Sequence, residues 1–273
     1  MLDQFLTTFK DYFIAIFPWF LVGVALAYFL DKKINKTTIH HYFSGVTFKK
    51  MVIAQIVGMI SPLSIMTFMP MANELAAMGF NPGLLLSFFV AERAYDLQSF
   101  FIISGLFGVR FAVLNALAIL TSLVITALFL KHEYVQFALK DKTLRKGYWR
   151  RQGKLLLLVF VGIIVGSLLK TVIPQSLFAR YTGGPLNGLL VSLVLGFVLY
   201  FGPILGNYPV AKALSDLGLS TLGTFSFLTV SPIFNLIVFF IFSATVGVKP
   251  TIKALIVYTG IALLMSFLCS FFL

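Results

Sequence analysis

Apolar residues along this chain do not alternate with polar ones. They run in stretches of about 20, enough for a helix to cross a hydrocarbon layer. No segment shows the short period-two pattern of barrel strands, so helices are expected throughout. The first stretch covers 12–30, the second 51–69 with Pro62 inside it, the third 82–108 and the fourth 111–130. After a polar segment at 131–154 the plan returns, with stretches at 155–173, 187–205 and 251–272. The return is a true repeat: residues 70–109 recur without a gap at 209–248, an offset of 139. It pairs Pro70 with Pro209, Ala72 with Ala211, Gly79 with Gly218, Ser87 with Ser226, Phe101 with Phe240 and Gly108 with Gly247. Coincident prolines and glycines do not follow from apolar composition. A duplicated, Pro/Gly-interrupted apolar unit is the mark of a secondary transporter, whose site forms where two repeats meet.

Composition settles the solvent. With 59% hydrophobic and 11% charged residues and a mean hydropathy of +0.99, the apolar surface exceeds what a soluble core can hide. The formal net charge of +12 does not indicate nucleic acid, because the cations gather between apolar stretches, where they set topology. Cys269 is the single cysteine, which excludes an internal disulfide and a cysteine metal cage. Ala25-Leu26-Ala27 mimics a signal-cleavage site, but Lys10 is offset by Asp3 and Asp11, and Lys32 and Lys33 follow as a stop-transfer flank. The first stretch is therefore expected to be a retained span.

Two basic loops, 31–50 and 131–154, are expected on the cytoplasmic side. The chain must then cross an even number of times between them, yet three apolar stretches lie there. The stretch expected to enter and leave on one side is 82–108, interrupted by Glu92-Arg93-Ala94-Tyr95-Asp96; Ser231-Pro232-Ile233-Phe234-Asn235 interrupts its repeat partner. Pro232 removes a backbone donor and disfavours helix before it. The expected fold is an all-α polytopic membrane protein of two inverted repeats, each of about three transmembrane helices plus a re-entrant or broken helical hairpin. Its parts are a first repeat at 1–130, a cytoplasmic linker at 131–154 and a second repeat at 155–273, with both termini outside.

Pro209-Val210-Ala211-Lys212-Ala213-Leu214, Gly218-Leu219-Ser220, Phe227-Leu228, Pro232, Asn235 and Val246-Gly247-Val248-Lys249 resemble the second half of the predicted permease family that includes organoarsenical efflux permeases. The segment from Gly58 to Gly108 is similar to that family's first copy. The resemblance implies a multi-pass inner-membrane permease that exports a small solute. Where many members carry Cys-x-Cys after Pro-Leu, this chain reads Pro62-Leu63-Ser64-Ile65-Met66, so thiolate capture of a trivalent arsenical is not carried over.

Four constellations are candidates for chemistry. Glu92, Arg93 and Asp96 fall at membrane depth, where an ionisable group is costly unless paired or hydrated and marks function by default. Ser231, Pro232 and Asn235 replace them in the second copy, giving one ionisable and one polar half. Helix breaks around Ser64, Thr67 and Pro70, and around Asn207, Tyr208 and Pro209, would present helix N-termini to an anionic solute. Six of the eight methionines, Met51, Met59, Met66, Met69, Met71 and Met78, lie in 51–78; thioethers suit soft metal ions, and equally fill irregular core. Glu74, Lys212 and Asp216 are expected at the membrane edge, as snorkelling side chains or as a gating ion pair.

No phosphate-binding loop, zinc-protease motif or nucleophile elbow occurs, so no enzyme and no cofactor is expected. The expected function is alternating-access movement of a small anionic or metalloid-type solute across the cytoplasmic membrane, with a proton or ion as coupling partner. The expected partners are the lipid bilayer and that solute, with a homo-oligomer left open. Competing readings are a non-transporting anchor or assembly component, recruited through the basic 131–154 loop, and a soft-metal transporter. A transporter needs a polar site where the breaks meet; an anchor needs none.

Overall fold

A computed structural model describes residues 1–33, 47–60, 82–130, 148–200 and 204–273. They form helices and no strands: α1 (Leu2–Lys33), α2 (Phe48–Ile60), α3 (Pro82–Ala94), α4 (Leu97–Phe107), α5 (Val109–Leu130), α6 (Tyr148–Val172), α7 (Gln175–Thr182), α8 (Pro185–Leu199), a 3-10 turn (Ile204–Gly206), α9 (Asn207–Asp216), α10 (Thr221–Val230), α11 (Leu236–Val246) and α12 (Val248–Ser270). Among the described residues, α1, α5, α6 and α12 are long and apolar enough to cross a membrane on their own. Helix α6 starts at Tyr148, so the linker expected to run to 154 gives way to helix earlier.

The repeat is written into backbone geometry. Asp96 caps α4 with φ −138° and ψ 170°, and Asn235, its partner at the same offset, caps α11 with φ −153° and ψ 161°. Each uses its side-chain oxygen to accept the N–H three residues on, of Ser99 at 2.6 Å and of Val238 at 2.9 Å. The same helices end at Gly108 (φ 92°, ψ 157°) and Gly247 (φ 95°, ψ 158°), a conformation that L side chains rarely adopt. This explains why the two glycines coincide in the sequence.

Close contacts fix the direction of each helix. In α8 the small residues Gly188, Ser192 and Gly196 are one face, and Leu186, Leu190, Val194 and Val198 are the exposed face. A side chain added at Gly188 would meet Ser220, and one at Gly196 would meet Ser231, so α8 and α10 lie in contact and run parallel. Along α6, Gly162 touches the Gly206 carbonyl, Gly166 the Pro209 carbonyl, and Lys170 reaches Asp216, so α9 runs parallel to α6. The chain thus enters through α8, turns level with the middle of α6, and returns through α9 to the end marked by α7. There Ser220 donates its N–H to the Thr182 carbonyl at 3.1 Å, tying the turn before α10 to α7.

In the first half, α1 and α4 run antiparallel, Gly23 lying against Gln98 and Gly105 against Ala15 and Trp19. Helix α4 ends beside α9, with the Lys212 ammonium 5.8 Å from the Phe107 ring centre. Helix α5 starts at that end and runs with α10, pairing Phe111 with Phe225 and Asn115 with Thr229. Gln55 of α2 reaches the Leu123 carbonyl far along α5, and α3 packs along α2. The two arms of 82–108 therefore lie in opposite halves of the bundle, α3 against α2 and α4 against α1. The sequence led us to expect 82–108 to enter and leave on one side; these contacts instead fit one span broken between α3 and α4, because each arm packs on a different neighbour.

Candidate functional site at the helix breaks

Four helix ends and a turn meet in the middle of the bundle: the end of α3, the start of α4, the end of α8, the start of α9, and the 231–235 break. Sequence chemistry makes each end where it does. Asp96 is a strong N-cap; Ser99 closes the capping box by accepting the Asp96 N–H at its hydroxyl oxygen at 3.4 Å, and donates that hydroxyl to the Asp96 carboxylate at 2.7 Å. Asn235 accepts from Val238 and donates its amide to the Ser231 and Pro232 carbonyls at 2.7 and 3.2 Å, closing the break on itself.

Burial falls on the polar groups. Arg93 is 7% exposed, and its guanidinium carbon lies 5.9 Å from the Tyr200 ring centre. Glu92 and Asp96 are half-buried. Tyr208, in the first turn of α9, lies near Tyr95, Tyr200, Asp96 and Ser99. The hydroxyls of Tyr95, Tyr200 and Tyr208 are buried and make no hydrogen bond among the described residues. Buried hydroxyls are ordinarily paired, yet those of Ser167, Thr224, Ser226, Ser243 and Thr259 also lack a partner among the described residues. Tyr258 is as deeply buried but donates to the Thr229 carbonyl at 2.8 Å. That carbonyl lies at the end of α10, where Ile233 donates instead to Val230 and leaves it without its helical partner. Tyr258→Phe should therefore lower stability by about 1–3 kcal/mol, read as a downward shift of the thermal midpoint in detergent; an unchanged midpoint would mean the break does not depend on this bond.

The sequence-predicted residues divide as follows. Arg93, Asp96 and Tyr208 come together; Glu92 sits beside them on the last turn of α3; Ser231, Pro232 and Asn235 form the facing break; Asn207 and Pro209 start α9. Ser64, Thr67, Pro70 and Glu74, together with Met66, Met69, Met71 and Met78, lie outside the described residues. Met51 and Met59 are buried in the core, which supports packing rather than a metal path. Lys212 pairs within its own helix, with Asp216 at 2.7 Å, and not across the repeat interface as a gating pair would; Lys170 of α6 joins Asp216 at 2.9 Å. The sequence reading missed Tyr95, Tyr200 and Lys170. In a chain with 31 Phe and 10 Tyr, a tyrosine beside each helix end was the available signal.

Residues 1–132 match a family described as a predicted permease. The α3–α4 break with Arg93 and Asp96 falls inside the match, and the second half of the chain carries the equivalent cap, Asn235, at the same offset. A UPF0718 protein of Methanocaldococcus jannaschii is 27% identical over 138 residues, which is 48% of this chain and 36% of that relative. The match thus spans little more than a third of the relative's length. No solved structure matches the chain.

Proposed function

We propose that this multi-pass membrane permease moves a small solute across the cytoplasmic membrane by alternating access of two inverted repeats, in the export direction that the family resemblance suggests. The observation that carries this reading is that equivalent elements run in opposite directions. Helix α10 starts at the α7 end, where Ser220 is tied to Thr182. Its repeat partner α3 lies along α2 in the other half of the bundle and leads into α4, which arrives at the α7 end. Reversal of this kind requires an axis in the membrane plane, the usual relation in transporters built from two repeats. On this reading α3–α4 and α10–α11 are spans broken at mid-depth, and α8–α9 is the piece that enters and returns on one side. The loops at 31–50 and 131–154 then share one face, which their lysines and arginines make the cytoplasmic one.

Irregular backbone at this depth is tolerated only where protein or a hydrated path covers it. The breaks at 94–97 and 231–235 meet this condition by capping and by mutual burial, and they present Arg93, the tyrosine hydroxyls and an α9 N-terminus that no side chain caps. An anchor would have no use for such a centre. Single cysteines at Leu2 and Lys142, in a Cys269→Ala background, should react with an impermeant maleimide from opposite faces. Labelling of both from the same face would rule out the inverted arrangement.

A further inference from the structure

We propose that the protein has a second conformation, in which α11 packs on α6 as α4 packs on α1 here. The inference rests on the inverted-repeat reading above and names the movement that reading leaves open. Carried beyond 70–109, the offset of 139 aligns the end of α1 at Lys33 with the end of α6 at Val172, and the start of α5 at Val109 with that of α12 at Val248. Helix α6 is thus the equivalent of α1, and α11 the equivalent of α4. Both arms begin and end with the same backbone, capped by Asp96 and Asn235 and closed by Gly108 and Gly247. Their neighbours differ.

Helix α4 lies along α1 and α5, whereas α11 lies along α12 and has no comparable contact with α6 among the described residues. Three aligned positions on one helical face show the result. Gln98 is 4% exposed and Ile237 37%; Phe101 and Gly105 are half-buried, while Phe240 and Ala244 are exposed. The face that holds α4 on α1 is therefore uncovered in α11. The scaffold helices differ in the complementary way. A Cβ added at Gly23 of α1 would lie 2.9 Å from the Gln98 Cα, whereas Gly162, the same position of α6, touches the Gly206 carbonyl. One glycine position thus accepts a broken arm in the first half and the α8–α9 turn in the second. Beside it on α6, Leu157 and Val161 are exposed, which leaves room for an arm. Alternating access needs two arrangements of the repeats, and inverted repeats in unlike arrangements supply them by exchange. In the exchange α4 leaves α1 and α11 comes to α6. The stacked rings of Trp19 and Phe101, 6.4 Å apart, then have their counterpart in Leu158 against Phe240.

The test uses the full chain in lipid nanodiscs, with Cys269→Ala as background and Leu158→Cys with Phe240→Cys as the probe pair. A short bis-methanethiosulfonate reagent should link the pair within one chain, and because linking is irreversible a minor conformation accumulates. Trp19→Cys with Phe101→Cys reports the contact present here and should link as well. Leu168→Cys with Phe240→Cys, about 15 Å further along α6, should not. Gly105→Val drives its side chain into Trp19 and the Ala15 carbonyl, which disfavours α4 on α1. In monodisperse protein it should raise the link between 158 and 240 severalfold. Absence of that link in the otherwise unchanged chain would overturn the proposal, whether or not Gly105→Val folds. So would a link found only between two chains, which would assign the α11 face to a homo-oligomer, or equal linking at 168, which would mean random collision. Failure here with opposite-face labelling at Leu2 and Lys142 would remove the exchange and leave the inverted repeats intact; same-face labelling would remove the repeats' inversion itself.

Discussion

Gly162→Val should yield little or no folded protein. A Cβ at this position would collide with the Gly206 carbonyl and lie 2.8 Å from its carbon and 2.9 Å from its Cα. These are backbone atoms at the turn between α8 and α9, and no rotamer change moves them out of the way. Relief requires α9 to lift off α6, which would also draw Lys170 from Asp216 and shift Tyr208 from the centre. Overpacking a tight core costs about 1–3 kcal/mol where neighbours can adjust, and more where backbone must move. Gly153→Val is the matched control: it lies on the same helix with open space around it. Fluorescence size-exclusion of both variants decides the matter; a monodisperse Gly162→Val at parent yield would show that α6 and α9 are not held as described.

Asp216→Ala should be the most damaging single change among the charged residues at the α7 end. Asp216 is the only carboxylate after Asp141, and its two oxygens serve Lys212 at 2.7 Å, Lys170 at 2.9 Å and the Tyr12 hydroxyl at 2.9 Å. It thereby ties α9 to α6 of its own repeat and to α1 of the other. Removing it leaves two half-buried ammonium groups facing each other. Burial pushes the Asp216 carboxyl up, but hydrogen bonds from Lys212, Lys170 and Tyr12 outweigh this and hold it below the ordinary carboxylate value. A carboxyl lowered in the folded state adds stability above its unfolded pKa, and that stability is lost as pH falls through the folded one. The midpoint difference between the parent and Asp216→Asn should therefore be full at pH 7 and shrink as pH drops below the carboxylate range. The side chains are 19–33% exposed, so solvent screening limits the tie to about 1–3 kcal/mol. Asp216→Ala combined with Lys170→Met should be milder than the sum of the two singles, because the uncompensated charge is partly removed. A strictly additive pair, or a midpoint difference flat in pH, would show that the cluster is a solvated surface feature.

The sequence by itself determined the repeat, the helices and the places where they stop. Pro and Gly positions, and Asp96 with Ser99 three residues on, act through local backbone geometry, so the caps at 96 and 235 and the glycine exits at 108 and 247 could be read before any fold existed. If both basic loops lie on one face, as we propose, one apolar stretch in each half returns to its own side. Which stretch that is can be argued only from tertiary contacts. Hydropathy is the same for a span broken in the middle and for a hairpin, and both 82–108 and 51–69 carried an interruption. Direction came from contacts of residues far apart in the chain, Gly162 with Gly206, Gly188 with Ser220 and Lys212 with Phe107. The centre depended on the same long-range packing. Tyr95, Tyr200 and Tyr208 are spread over more than a hundred residues, and an aromatic ring in an apolar stretch carries no local sign of where its hydroxyl will point. Only the packing of α3, α8 and α9 brings Tyr200 to Arg93, and Tyr95 and Tyr208 to the neighbourhood of Asp96.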